Sequence, residues 1–197
     1  MAEGALRPLA EVLAAVPAPR HPRGVRHPLH AILLLACVAM LCRCDSLLAI
    51  AEWGRDQGAD VAARLGFRRA RPPCVATLHR VWRRLDVAAF ERAGGGRAEG
   101  VLAALGGGTP LPALAVDGTT LRGSHTPAVP AVHLLSALSQ HVRVVVAQVP
   151  VDGKTNEVPA FQTLAAALVL EGRLVTVAAL LCQREIAATI LQKGGTT

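Results

Sequence analysis

Two hydrophobic periods divide the chain. Before about residue 92 the apolar positions recur at helical spacing. Beyond about residue 110 they fall in short β-rich runs bounded by turn residues. "LHAILLLACVAMLCR" (29–43) is apolar nearly all round, which predicts a helix central to its domain. Asp45 or Ser46 is placed to cap a second helix, "SLLAIAEWGRDQG". There Leu47, Ile50, Ala51 and Gly54 keep inward spacing while Glu52, Arg55 and Asp56 face away. Pro72 and Pro73 open a third helix, "CVATLHRVWRRLD", with a stripe of Leu78, Val81, Trp82 and Leu85. In the second half, "LPALAVDG", "AVHLLSALS" and "VRVVVAQVPVD" read as strands. A helix "PAFQTLAAALVL", a fourth strand "RLVTVAALL" and a closing helix "REIAATILQKGG" follow. Hairpin strands followed by alternating helix and strand predict an α/β class with a mixed sheet.

The segments between these elements set the expected boundaries. Residues 1–28, with "PAPRHPRGVRHP", form a Pro/Arg-rich arm, and 29–92 form a small all-helical domain. "AGGGRAEG" and "LGGGT" make 93–110 a Gly-rich linker, and 111–197 form the sheet domain. Neither Gly-rich stretch has the phosphate-loop spacing with its Lys-Ser/Thr.

Charge sharpens the division. The first 86 residues carry thirteen arginines against seven acids, whereas the remainder is nearly balanced. Between Asp60 and Asp86 stand seven arginines, including Arg68, Arg69, Arg71, Arg80, Arg83 and Arg84, with no acid. The helical stripe projects His79, Arg80, Arg83 and Arg84 outward, a face suited to DNA if this is the second helix of a helix–turn–helix. A solvated basic face is the plainer reading; the missing counter-charge favours nucleic acid. The apolar run at 29–42 has fourteen residues, short of the ~20 needed to cross a bilayer. Five cysteines lack disulfide or zinc spacing, and no signal peptide is recognisable. A cytoplasmic protein with free thiols and no membrane partner is expected.

"LAVDGTTLRG" (114–123) ends an apolar run on Asp117. A carboxylate there is either a turn residue bonding its own backbone or a group with partners. Seven stretches together resemble one family: "RGVRHPLHAILLLACVAMLC", "SLLAIAEWGRDQ", "PPCVATLHRVWRRLD", "LAVDGTTLRGS", "VHLLSALS", "VVVAQVPVDGKTNEVPAFQTL" and "LVTVAALLCQRE". They are similar, in order, to insertion-sequence transposases of the H-repeat-associated (ISAs) type. "VDGTTLRGS" and "DGKTNEVPAF" are the specific signatures. The resemblance implies a helical associated domain followed by an RNase H-like catalytic domain of the DDE superfamily. In such enzymes Asp, Asp and Glu bind two divalent ions, Mg²⁺ or Mn²⁺, that drive DNA strand transfer.

By this resemblance Asp117 is the first acid and a metal ligand, whereas the second-acid position holds Ala178. Leu181 stands where the family has histidine, and Thr119 replaces the lysine after the first Asp-Gly. The third acid would lie beyond residue 197, so a truncated copy with an incomplete RNase H-like sheet and an uncovered edge or face is expected. Asp152 or Glu157 could help Asp117 hold a hydrated ion weakly. The resemblance also makes Lys154 and Glu157 DNA or active-site contacts, although "DGKTNE" is equally a good turn. Arg122 could meet a phosphate or a nearby acid. His125, His133 and His141 lack metal-ligand spacing and read as surface or strand-end residues. The expected function is that of a DDE transposase remnant binding insertion-sequence ends without catalysis. The alternatives are a DNA-binding competitor of an intact transposase and a product that folds poorly. The expected partners are DNA and a second copy or an intact transposase.

Overall fold

The computed structural model describes residues 7–19, 25–105, 113–151 and 157–197. They divide into two compact units, Arg7–Ala93 and Gly94 onward. The first is all helical: α1 (Leu9–Ala14), α2 (Leu29–Leu41), α3 (Leu47–Asp56), α4 (Gly58–Arg64), α5 (Val75–Trp82) and the start of α6 (Val87–Leu105). Leu29, Ile32, Leu35, Ala36 and Ala39 of α2 are buried, so this apolar helix forms the unit's axis. Ile50 and Ala51 of α3 and Leu78 and Val81 of α5 close the core around it. Ser46 caps α3, its hydroxyl oxygen accepting the Ala49 N–H at 3.1 Å. Asp86 does the same for α6 through the Ala89 N–H at 2.9 Å.

Three expectations change here. The segment before residue 28 is not wholly an extended arm, because Leu9–Ala14 are helical. Leu9, Val12, Leu13 and Val16 have helical spacing, and the last three are buried. Second, α4 adds a short helix, anchored by Ala62. Third, the described part of the Gly-rich stretch, residues 93–105, is helical and belongs to α6.

One of those glycines is required by packing. A Cβ on Gly95 would stand 2.9 Å from the Val146 carbonyl oxygen, whereas Gly94 and Gly96 have nothing within 4 Å. Alanine gains about 1 kcal/mol over glycine in a helix. Against that, overpacking costs about 1–3 kcal/mol. Thermal unfolding of the three single alanine variants should therefore show opposite signs. Gly94→Ala and Gly96→Ala stabilise, and Gly95→Ala destabilises.

The second unit is a four-stranded mixed sheet in the order β3-β2-β1-β4. β1 (Ala113–Thr120), β2 (His133–Ser139) and β3 (Val144–Val151) form an antiparallel meander. α7 (Glu157–Ala166) leads to β4 (Leu174–Val177), which runs parallel to β1. The fourth strand is shorter than its apolar run predicts. Ala178 is extended, but Ala179–Leu181 turn into a 3₁₀ segment and bury Leu181. α8 (Arg184–Gln192) completes the unit. Leu114 and Val116 of β1, Leu135 and Ala137 of β2 and Val175 of β4 share a core with Phe161 and Leu164 of α7 and with Ile186 and Ile190 of α8. The outer edge of β4 is partly occupied. Thr196 donates to the Arg173 carbonyl at 2.9 Å and accepts from the Val175 N–H at 2.7 Å.

Candidate functional site

Asp117 lies near the end of β1 and is exposed. The parallel register pairs Val116 with Val177, and the Ala178 N–H donates to the Val116 carbonyl at 3.2 Å. Ala178 is thus the next residue along β4's direction, beside Asp117 at the same end of the sheet. Asp117 Oδ1 accepts the Gly118 N–H at 2.9 Å, the local bond of a turn aspartate.

Glu157 and His133 meet elsewhere. Glu157 opens α7, and its Oε1 lies 3.3 Å from His133 Nε2. His133 Nδ1 lies 2.9 Å from the hydroxyl of Thr120, its cross-strand partner. A Cβ on Gly118 would sit 2.9 Å from His133 Nε2 and 3.1 Å from Glu157 Oε1, so this group covers the Gly118 side of β1. Successive strand residues face opposite sides, which puts Asp117's side chain on the other face. Glu157 is thus engaged with His133 on the Gly118 side of β1. His133 has a partner that spacing alone could not reveal, because Glu157 is 24 residues away in sequence.

These positions do not fit a two-metal site. Mg²⁺ takes six oxygens in near-octahedral array, and one carboxylate supplies at most two. Among the described residues no group of three His, Cys, Asp or Glu side chains could hold an ion. Asp152 and Lys154 lie outside the described residues. Arg122 is exposed just after β1, and among the described residues it forms no ion pair with an acid.

The arginines of the helical unit have a sharper arrangement. Arg68, Arg69, Arg71, Arg80, Arg83 and Arg84 are all exposed, the last three in keeping with the apolar stripe of their segment. A cleft of about 620 Å³ gathers some of them, with Arg26, Arg69, Arg71, Arg80 and Arg84 in its walls beside His27 and Cys74. Arg68 and Arg83 are not part of that lining. Thr77, Arg80 and Val81 contribute one helical face of α5, and Arg84 follows just past its end. Arg80 is held by bonds from Nε to the Ala76 carbonyl at 3.1 Å and from Nη2 to the Thr77 hydroxyl at 3.4 Å. Among the described residues no carboxylate forms an ion pair with any of these five arginines. Sequence reading missed Arg26 and His27. Their signal was "RGVRHP", basic residues next to the central helix, but only the fold sets them opposite α5.

Comparison with known proteins follows the same division. The family described as DDE_Tnp_1-associated matches residues 10–95, nearly the whole helical unit. "Uncharacterized protein in dhlA 3'region" of Xanthobacter autotrophicus is 36% identical over 86% of this chain and 56% of its own length. "Putative transposase YncI" of Escherichia coli K12 is 30% identical over 95% of this chain and 75% of its own length. "H repeat-associated putative transposase YhhI" of the same strain is 28% identical over 96% of this chain. The chain belongs to the H repeat-associated, ISAs-type transposase family. It spans only about half the length of several relatives, 50% in the case of YhhI. Among solved structures, a piggyBac transposase synaptic complex with hairpin DNA is similar over 95% of this chain and 45% of that one. Its identity is 15% and its TM-score 0.39, a likeness too loose to weigh. Among the described residues no helix is long and apolar enough to cross a membrane.

Proposed function

We propose that this chain is a DNA-binding member of its transposase family that engages insertion-sequence ends in the cytoplasm and does not itself perform strand transfer. The sheet unit is read as an RNase H-like DDE domain in which Asp117 keeps the first-acid position. One observation carries the loss of catalysis: Ala178, not a carboxylate, follows the end of the adjacent parallel strand beside Asp117. Bound in a complete site, two divalent ions would activate the attacking oxygen and stabilise the leaving one. Among the described residues no such set of ligands is assembled, so no step is assigned to it.

DNA binding is supported by the arginine excess of the helical unit and its exposed face on α5. Arginine forks match phosphate oxygens, and each phosphate neutralised releases counterions. The same features would let the protein occupy element ends ahead of an intact transposase.

The test is a salt titration of binding to labelled element ends by fluorescence anisotropy. The full chain should bind, with affinity falling steeply as salt rises. Arg80→Ala with Arg84→Ala should weaken binding and flatten the log–log slope by about 0.9 per lost phosphate contact. Equal affinity and slope for this double variant would remove the DNA-face assignment.

A further inference from the structure

We infer that the cleft between the segment preceding α2 and the face of α5 is a clasp for the phosphodiester backbone of duplex DNA, and that the DNA grip lies there rather than along α5's outward ridge. This inference rests on the DNA-binding reading and narrows it to one place. Arg26 comes from the chain before α2, Arg69 and Arg71 from the loop after α4, and Arg80 and Arg84 from α5 and its end. Three separate parts of the chain thus bring five guanidinium groups around one concavity.

Like charges gathered without a counter-charge repel each other, and an anion in their midst reverses the sign of that interaction. Arg80 is already oriented by its bonds to Ala76 and Thr77, so less freedom is lost when it meets a phosphate. The chemistry of the walls narrows the ligand. No Phe, Tyr or Trp lines the cleft, and its one aromatic ring, His27, is already packed edge-on against Phe67 at 5.7 Å, so an open stacking platform of the kind that holds single strands is lacking among its lining residues. No Asp, Glu, Asn or Gln lines it either, and of the side chains that pair with base edges arginine is the main one present. Arginine without those partners suits phosphate contacts, which position a duplex and carry no sequence information directly. The cleft should therefore act equally on all sequences.

Two arginine pairs separate the cleft from the general surface. Arg26 and Arg71 line it; Arg68 and Arg83 belong to the same unit and do not. All four are exposed, so neither double alanine variant should disturb folding, and each removes the same charge. Binding of the full chain to a short labelled DNA duplex of arbitrary sequence is measured across a salt series. Arg26→Ala with Arg71→Ala should weaken binding at least about tenfold and reduce the log–log slope by about 1.8, two phosphate contacts' worth. Arg68→Ala with Arg83→Ala should change both much less.

Cys74 supplies an independent reading. It lies in the cleft wall, is exposed, and has its thiol drawn below the usual range by its hydrogen bond to Thr77, which favours the reactive thiolate. Saturating duplex should slow its alkylation by N-ethylmaleimide several-fold while Cys42, exposed elsewhere in the unit, reacts as before. If the unsubstituted chain binds no duplex at all, the DNA-binding reading itself fails. If it binds but the two arginine pairs are equivalent, or Cys74 is unprotected, binding stands and the clasp is overturned. Stronger binding of a matched RNA duplex than of DNA also overturns it.

Discussion

Ala178→Asp should turn an indifferent sheet edge into a weak divalent-cation site, while the unsubstituted protein should show no metal-dependent nicking of labelled element ends. The register sets the reason. Ala178 follows the Val177 partner of Val116, so a carboxylate introduced there stands one strand away from Asp117. Neighbouring strands lie about 4.8 Å apart, close enough for two carboxylates to share one ion. Without metal, two adjacent carboxylates repel, and the variant should be less stable than the parent. With Mn²⁺ or Mg²⁺ that deficit should shrink, because an ion that binds only the folded state stabilises it; at a hundred times Kd the gain is about 2.7 kcal/mol. Thermal unfolding with and without metal reads this directly. A parent unaffected by metal beside a variant that gains stability is the expected pair of results. Nicking is not expected even from the variant, since the reaction in this superfamily uses three acids and two ions. Robust nicking by the unsubstituted chain, abolished by Asp117→Ala, would overturn the reading of a silent site.

How much of this was legible in the sequence depended on the range of the interaction. Local signals served well. The apolar run of α2, the Ser46 cap and the Leu78–Val81 stripe each lie within a turn or two, and the fold uses all of them. The three β-rich runs likewise emerged as an antiparallel meander. The placement of Ala178 was legible only through family resemblance, because β1 and β4 pair across some sixty residues. Glycine was misread for a physical reason. A Gly-rich stretch breaks helices on average, but Gly95 is helical where a larger side chain would strike the Val146 carbonyl. Composition cannot distinguish a glycine that loosens a chain from one that admits a neighbour. The cleft was illegible for the same reason as the His133–Glu157 contact. Arg26 and Arg71 are brought together by packing around α2, and no short window contains both.

The separation of the two cores leads to the remaining large effect. Leu35 is fully buried in the helical core and Phe161 is buried in the sheet core, and the two clusters share no residue. Leu35→Ala should destabilise the helical unit by about 2–5 kcal/mol and Phe161→Ala the sheet unit by about 3–5 kcal/mol. Such losses are a large share of the ~5–15 kcal/mol available to a domain. The tryptophans give each unit its own signal. Trp53 and Trp82 are the chain's only two, and both pack against the helical core. Tryptophan fluorescence in a urea titration therefore reports the helical unit, whereas far-ultraviolet circular dichroism reports both. Leu35→Ala should move the fluorescence midpoint to lower urea and leave a later dichroism phase in place. Phe161→Ala should lower the dichroism phase of the sheet and leave the fluorescence midpoint near that of the parent. DNA binding should follow the fluorescence: at a urea concentration between the two midpoints, Leu35→Ala should bind no duplex while Phe161→Ala still does. Fluorescence and dichroism shifting together in both variants would show that the units unfold as one, and that the arginine face depends on the sheet for its stability.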